Sequence, residues 1–147
     1  MKKGFTLTEL LAVIAILSIL VLLAVPNIIK IYNDSTKSAM EVQENQILDA
    51  SNLYVTDYCT RRINSTYVCP SSYTTGTTIK YICLNDITSK GYIENIKYKA
   101  SNCSGVIVYD SDGKNGKTYL YCGAGPNYTY KTEGAPNTSE FNKCSFW

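Results

Sequence analysis

Hydrophobic and polar positions divide the chain into stretches of different period. From Leu10 to Val25 only Ser18 is polar, and Ile28 and Ile29 carry the apolar run past Pro26 and Asn27. About 20 such residues at ~1.5 Å each cross a ~30 Å hydrocarbon layer as a helix, so 5–29 is predicted as a transmembrane or assembly helix. Over 30–58 the run gives way to an amphipathic stripe in which Met40, Ile47, Ala50, Tyr54 and Tyr58 recur at helical steps. Glu41, Gln43, Glu44, Asn45, Gln46 and Asp49 lie between them and are expected on a solvated face. Pro26 is the predicted helix kink, and Asn33-Asp34-Ser35-Thr36 a second weak point. Unbroken from Phe5 to Tyr58, the helix would be ~80 Å long.

Beyond Tyr58 the composition turns to Tyr, Thr, Asn, Ser and Gly, and the period shortens. Thr78–Leu84 reads as a strand. Asn85–Ile93 reads as a short helix stopped at Gly91. Val106–Tyr109 and Thr118–Cys122 read as a hairpin around the turn-rich DSDGKNG. Three or four antiparallel strands packed on the helix predict an α+β head over 59–147, with Gly123–Trp147 irregular.

Charge and composition narrow the function classes. Fourteen basic and 12 acidic residues give a net charge of +2, with no nucleic-acid footprint. Histidine is absent, which removes the commonest general base and metal ligand. No phosphate loop, nucleophile elbow or paired carboxylates are evident, so neither an enzyme nor a cofactor is implied. Asp110 and Asp112 are weak calcium candidates, because Tyr121 stands where an EF-hand-like loop needs its bidentate glutamate. A hairpin turn is the simpler reading. Arg61-Arg62 reads as a solvated pair, and the Asn-x-Ser/Thr triplets at Asn64, Asn102, Asn127 and Asn137 as chance in so polar a chain.

Six cysteines (Cys59, Cys69, Cys83, Cys103, Cys122, Cys144) all follow residue 58, and none forms a C-x-x-C pair. That pattern predicts disulfides in an oxidising compartment, with fifteen connectivities open. Of the 13 tyrosines, 12 fall from Tyr54 onward, and core and strand packing accounts for most.

The start of the chain poses the sharper question, since Glu9 stands at the head of the apolar run. A charge within a span costs ~2.5–3.5 kcal/mol at mid-bilayer and less near an end. A secretory signal peptide has a shorter core and an A-x-A-like site, and a plain anchor has no use for Glu9. The stretch KKGFTLTELLAVIAIL, with Gly-Phe-Thr, Thr-x-Glu and a following apolar run, resembles the N-terminus of type IV pilins and type II secretion pseudopilins.

The resemblance covers roughly Lys2 to Asn27 and implies the following. Residues 1–4 are a leader, a prepilin peptidase cuts between Gly4 and Phe5, and the same enzyme N-methylates Phe5. Glu9 then pins the register of one subunit on the next by meeting a neighbour's Phe5 ammonium. Partners are that peptidase/N-methyltransferase, other pilin subunits, assembly machinery, and membrane lipid before assembly. The protein is expected as a single-pass membrane protein, N-terminus cytoplasmic and head outside, then in an extracellular filament for adhesion, motility, DNA uptake or secretion. Lys2 and Lys3 favour that orientation. The family also suggests a Cys122–Cys144 clamp on the C-terminal tail. The competing reading is a membrane-anchored, disulfide-rich binding domain that does not polymerise.

Overall fold

The computed structural model describes residues 5–60, 69–74, 79–141 and 144–146. Gly4, the Lys2-Lys3 pair, Arg61-Arg62 and Asn64 lie outside them. The chain divides into two units, Met1–Ala39 and Met40–Trp147. Helix α1 (Leu7–Tyr54) is followed by a π-helical turn, Val55–Thr60. In the first unit the helix is assigned without a break at Pro26 or at Asn33-Asp34-Ser35-Thr36, contrary to the expected weak point. The Thr36 hydroxyl donates to the Tyr32 carbonyl at 2.5 Å, a contact with the preceding turn that is compatible with a bend.

The second unit is an α+β head. After α2 (Ser71–Thr74) come β1 (Lys80–Cys83), α3 (Leu84–Ser89), β2 (Lys97–Tyr98), β3 (Ser101–Tyr109), β4 (Gly116–Cys122) and β5 (Tyr130–Lys131). The strands pair antiparallel in the order β1-β3-β4-β5, and β2 pairs with the start of β3. The predicted hairpin is present with longer arms. The predicted short helix stops where Gly91 takes φ +75°, a conformation open to glycine. Beyond Gly123 the chain holds only β5 and a 3₁₀ turn, Thr138–Glu140, among the described residues.

Both faces of the sheet are covered. Ile82, Cys103, Ile107, Tyr109, Leu120 and Cys122 join Met40, Ile47 and Tyr54 of α1 in one core. On the other face Val106, Tyr121 and Phe141 are buried, flanked by Tyr81, Tyr119, Tyr128 and Phe146. Two covered faces explain why VIVY and TYLYC read as nearly continuous apolar runs rather than alternating ones. Tyrosine rings fill both cores: Tyr73 meets Tyr109 at 5.3 Å and Tyr121 meets Tyr128 at 5.4 Å.

Helix α1 also presents polar groups to the head. The Glu44 carboxylate accepts from the Tyr130 hydroxyl at 3.0 Å and from the Thr132 hydroxyl, and Leu120 N–H donates to Thr132 Oγ1 at 2.8 Å. Glu44 and Gln43 therefore do not stand on a solvated face. They share the side of Met40 and Ile47 by the i, i+3, i+4, i+7 rule, and their polarity hid that position. Ser51 and Tyr109 hydroxyls lie 2.7 Å apart, and Tyr109 donates to Asn52 Oδ1 at 3.2 Å. Burial pushes the Tyr109 phenol up to about 12.

All six cysteines are paired, as Cys59–Cys69, Cys83–Cys144 and Cys103–Cys122. This corrects the expected Cys122–Cys144 clamp. Cys122 sits directly opposite Cys103 on the helix-facing side, with Cα atoms 3.9 Å apart. Cys144 belongs to the cluster on the opposite face, where strand alternation also puts Cys83, one residue from inward Ile82. The tail is clamped, but to the end of β1.

Loop lengths rank the three bridges. Cys83–Cys144 closes 61 residues, against 19 and 10 for the others. On the loop-entropy model these are worth about 4, 3 and 3 kcal/mol. Replacing Cys83 and Cys144 together by Ala is therefore expected to cost about 4 kcal/mol in denaturant unfolding of the full chain, more than replacing Cys59 and Cys69.

Candidate functional site

Residues 5–9 are organised by the start of α1. Leu7 is the first helical residue, which makes Thr6 the N-cap and Glu9 the third helical position. Thr6 N–H donates to Glu9 Oε2 at 2.8 Å, the Thr6 hydroxyl donates to the same oxygen at 2.8 Å, and Glu9 N–H reaches Thr6 Oγ1 at 3.4 Å. The Thr6 carbonyl accepts the first helical bond, from Leu10 N–H at 3.2 Å. This is a capping box, the reciprocal satisfaction of two orphan donors by a Thr-x-x-Glu pair. The signal stands in the sequence as TLTE, with Thr6 and Glu9 three residues apart.

Glu9 thus has two possible tasks that use the same carboxylate. As a cap it closes the helix end through Thr6. As an ion-pair partner it must meet an ammonium. Phe5, the predicted new terminus, is the residue just before the cap and is exposed. Every large apolar side chain from Phe5 to Ile31 is also exposed in this single chain. So wide an apolar surface needs a non-aqueous neighbour, lipid or protein. Within the run, Ser18 Oγ donates to the Ile14 carbonyl at 2.7 Å and the Asn27 amide to the Leu23 carbonyl at 3.4 Å. Backbone acceptors thereby satisfy two polar side chains within the apolar run. Pro26 supplies no N–H to the carbonyl four residues back, so one helical bond is missing within the apolar run.

Among the described residues one helix is long and apolar enough to cross a membrane, and it lies near the N-terminus. Also among them, no group of three or more His, Cys, Asp or Glu is placed to hold a metal ion. The Asp110 carboxylate is engaged by its own loop: Lys114 N–H donates to it at 2.9 Å, Asn115 N–H at 3.3 Å and the Asn115 amide at 2.8 Å. Asp110 N–H closes the turn on the Asn115 carbonyl at 3.0 Å. These contacts favour the hairpin-turn reading, and Asp112 is not drawn into them.

Residues 1–25 match the family model described as the prokaryotic N-terminal methylation motif. That motif is the type IV pilin and pseudopilin signal, and its match over residues 1–25 supports a pilin-like or pseudopilin precursor. An apolar helix near the N-terminus fits the membrane anchoring typical of pilins. Comparison with curated proteins and with solved structures returned no match.

The hairpin loop yields a pH prediction. The Lys114 backbone N–H and then the Asn115 amide hold the Asp110 carboxyl below its ordinary value. A depressed carboxylate stabilises the fold above the unfolded aspartate value of about 3.9, and that contribution is lost as pH falls through the lower folded value. Amide-exchange protection at Lys114 and Asn115 is expected to hold at neutral pH and to fall below about pH 4. In Asp110→Ala the pH step disappears.

Proposed function

We propose that the chain is a structural subunit of a type IV-like filament, cut after Gly4, N-methylated on Phe5 and assembled through its N-terminal helix. The observation that carries this reading is the coincidence of the methylation motif with a wholly exposed apolar helix whose first turn holds Glu9. Before assembly lipid covers that helix, and after assembly neighbouring helices do. Hydrolysis of the Gly4–Phe5 bond frees a primary ammonium on Phe5 and methylation makes it secondary, a cation beside an apolar rod. In a dry filament core the Glu9 carboxylate of an adjacent subunit offsets it, and separating the pair would strand both charges. One such pair sets the stagger of rods that could otherwise slide.

The orientation follows the same reading: leader in the cytoplasm, head outside, where three disulfides are at home. The role is non-catalytic, serving adhesion, motility, DNA uptake or secretion, and the partners are a prepilin peptidase and other subunits. The capping box favours a second reading, an anchored head that does not polymerise, in which Glu9 merely caps its own helix.

Intact mass and N-terminal sequencing of protein from native membranes test processing, with N-methyl-Phe5 as the expected start. The two tasks of Glu9 separate by substitution. Glutamine at the third helical position still completes a capping box but carries no charge. Glu9→Gln and Glu9→Ala are both expected to lower incorporation into sheared filaments roughly tenfold or more while the membrane pool persists. Should Glu9→Gln assemble like the unaltered chain, Glu9 is a cap and the register role fails.

A further inference from the structure

The edge of β3 opposite β4 is shared by two strands that do not meet. β1 pairs with Val106–Tyr109 and β2 with Ser101 and Asn102, while Cys103 N–H donates to the Ile96 carbonyl at 3.0 Å. No described strand pairs with Ser104 and Gly105 on that edge. At this gap lies a cavity of about 220 Å³. The chain leaves β1 at Cys83 to start α3, which forms one wall, and the Cys83–Cys144 bridge brings Ser145 to another. Gly105 forms the floor. A Cβ there would lie 2.9 Å from both Leu120 Cδ2 and the Tyr119 carbonyl, so the floor has no room for a side chain.

The lining mixes polar and apolar groups and carries no charged side chain among the described residues. Asn85, Asn95, Thr88, Ser104 and Ser145 bring amides and hydroxyls, groups that both donate and accept. Thr88 Oγ1 donates to the Asn85 carbonyl at 3.2 Å and Ser104 Oγ to the Tyr121 carbonyl at 3.3 Å, so both hydroxyls keep lone pairs for a ligand. Leu84 and Ile96 add apolar wall between them. Thr88 and Asn95 also line a neighbouring open cleft of about 510 Å³, which carries Glu94 and Lys97. The cavity therefore adjoins a wider groove whose two charges are of opposite sign.

We propose that this cavity binds the neutral terminal sugar of a glycan, with the adjoining cleft taking the next residue of the chain. The lack of charge disfavours anions and cations, which would be desolvated without a counter-charge. β1 and β2 flank the gap along the β3 edge, so a peptide cannot add there as a strand, and a compact group must enter end-on. A sugar ring offers hydroxyls that give and accept hydrogen bonds and small apolar C–H faces, matching Asn85, Asn95 and Thr88 beside Leu84 and Ile96. The proposal is independent of whether the chain polymerises.

The test uses the full chain in lipid nanodiscs, titrated with glucose and with N-acetylglucosamine while the Asn85 and Asn95 side-chain amide signals are followed by NMR. One of the two sugars is expected to shift both signals saturably, with a dissociation constant of about 1 mM. Asn95→Leu and Thr88→Val should each weaken binding about fivefold, and Asp112→Ala in the distant hairpin loop should not. The amide shifts of the unaltered chain need no variant to fold. Lack of saturation with both sugars up to about 50 mM would overturn the proposal. So would shifts confined to residues outside the cavity, or equal weakening in Asp112→Ala.

Discussion

Strand β3 is the member on which the head depends, because it is enclosed in four directions. β4 pairs along one edge through seven residue pairs, and β1 and β2 divide the other. One face gives Ile107 and Tyr109 to the core with Met40, Ile47 and Tyr54, and the other gives Val106 to the core with Tyr121 and Phe141. A strand buried from Cys103 to Ile107 and again at Tyr109 gives residues to both cores, and a change in its register would move both apolar sets at once. Two of the disulfides are tied to this arrangement. Cys103–Cys122 joins β3 to β4 at their far end, and Cys83–Cys144 holds the tail over the second face, at the point where β1 leaves β3. The gap that becomes the cavity is a consequence of the same division of one edge between two strands.

The first unit obeys a different constraint. A helix in hydrocarbon must satisfy its own backbone, because lipid offers no hydrogen bonds. Ser18 and Asn27 return to main-chain carbonyls, and the Thr6–Glu9 box closes donors that the first turn leaves open. The carboxylate at the head of an apolar run is thereby useful before any partner arrives. The proposed register role would draw on the same carboxylate: an oxygen bonded to Thr6 in the lone subunit would turn to an ammonium if a neighbour provided one. The charge would matter only to that role, whereas the hydrogen-bond acceptor matters to the cap.

Local signals in the sequence were read well where one interaction decides the structure. The apolar run, the stop at Gly91, the hairpin around DSDGKNG and the α+β class all follow from nearest-neighbour chemistry, and the methylation motif is a contiguous string. The errors share a cause, which is that long-range packing assigns meaning to residues that look ordinary in the chain. Glu44 and Gln43 are polar and so were placed in water, although helical geometry puts them beside Ile47, and Tyr130 and Thr132 lie more than 80 residues away. Cys144 was joined to the wrong cysteine because only strand register reveals which face Cys83, Cys103 and Cys122 occupy. The cavity was invisible, since Asn85, Asn95 and Ser145 share neither spacing nor motif.

The division of labour between the two units has a thermodynamic side. Among the described residues, the buried hydrophobic core runs from Met40 to Phe141, and the large apolar side chains before it are all exposed. The head closes its core with its own stretch of α1, its sheet and its disulfides. On the proposed reading, exchanging lipid for a neighbouring helix would take no side chain out of the head's core. Transfer from lipid to protein brings little hydrophobic gain, so close packing and the few polar groups of the segment must decide the outcome. In a segment whose side chains are nearly all interchangeable hydrocarbon, the charge pair formed by Phe5 and Glu9 would be the one contact that distinguishes one stagger from the next.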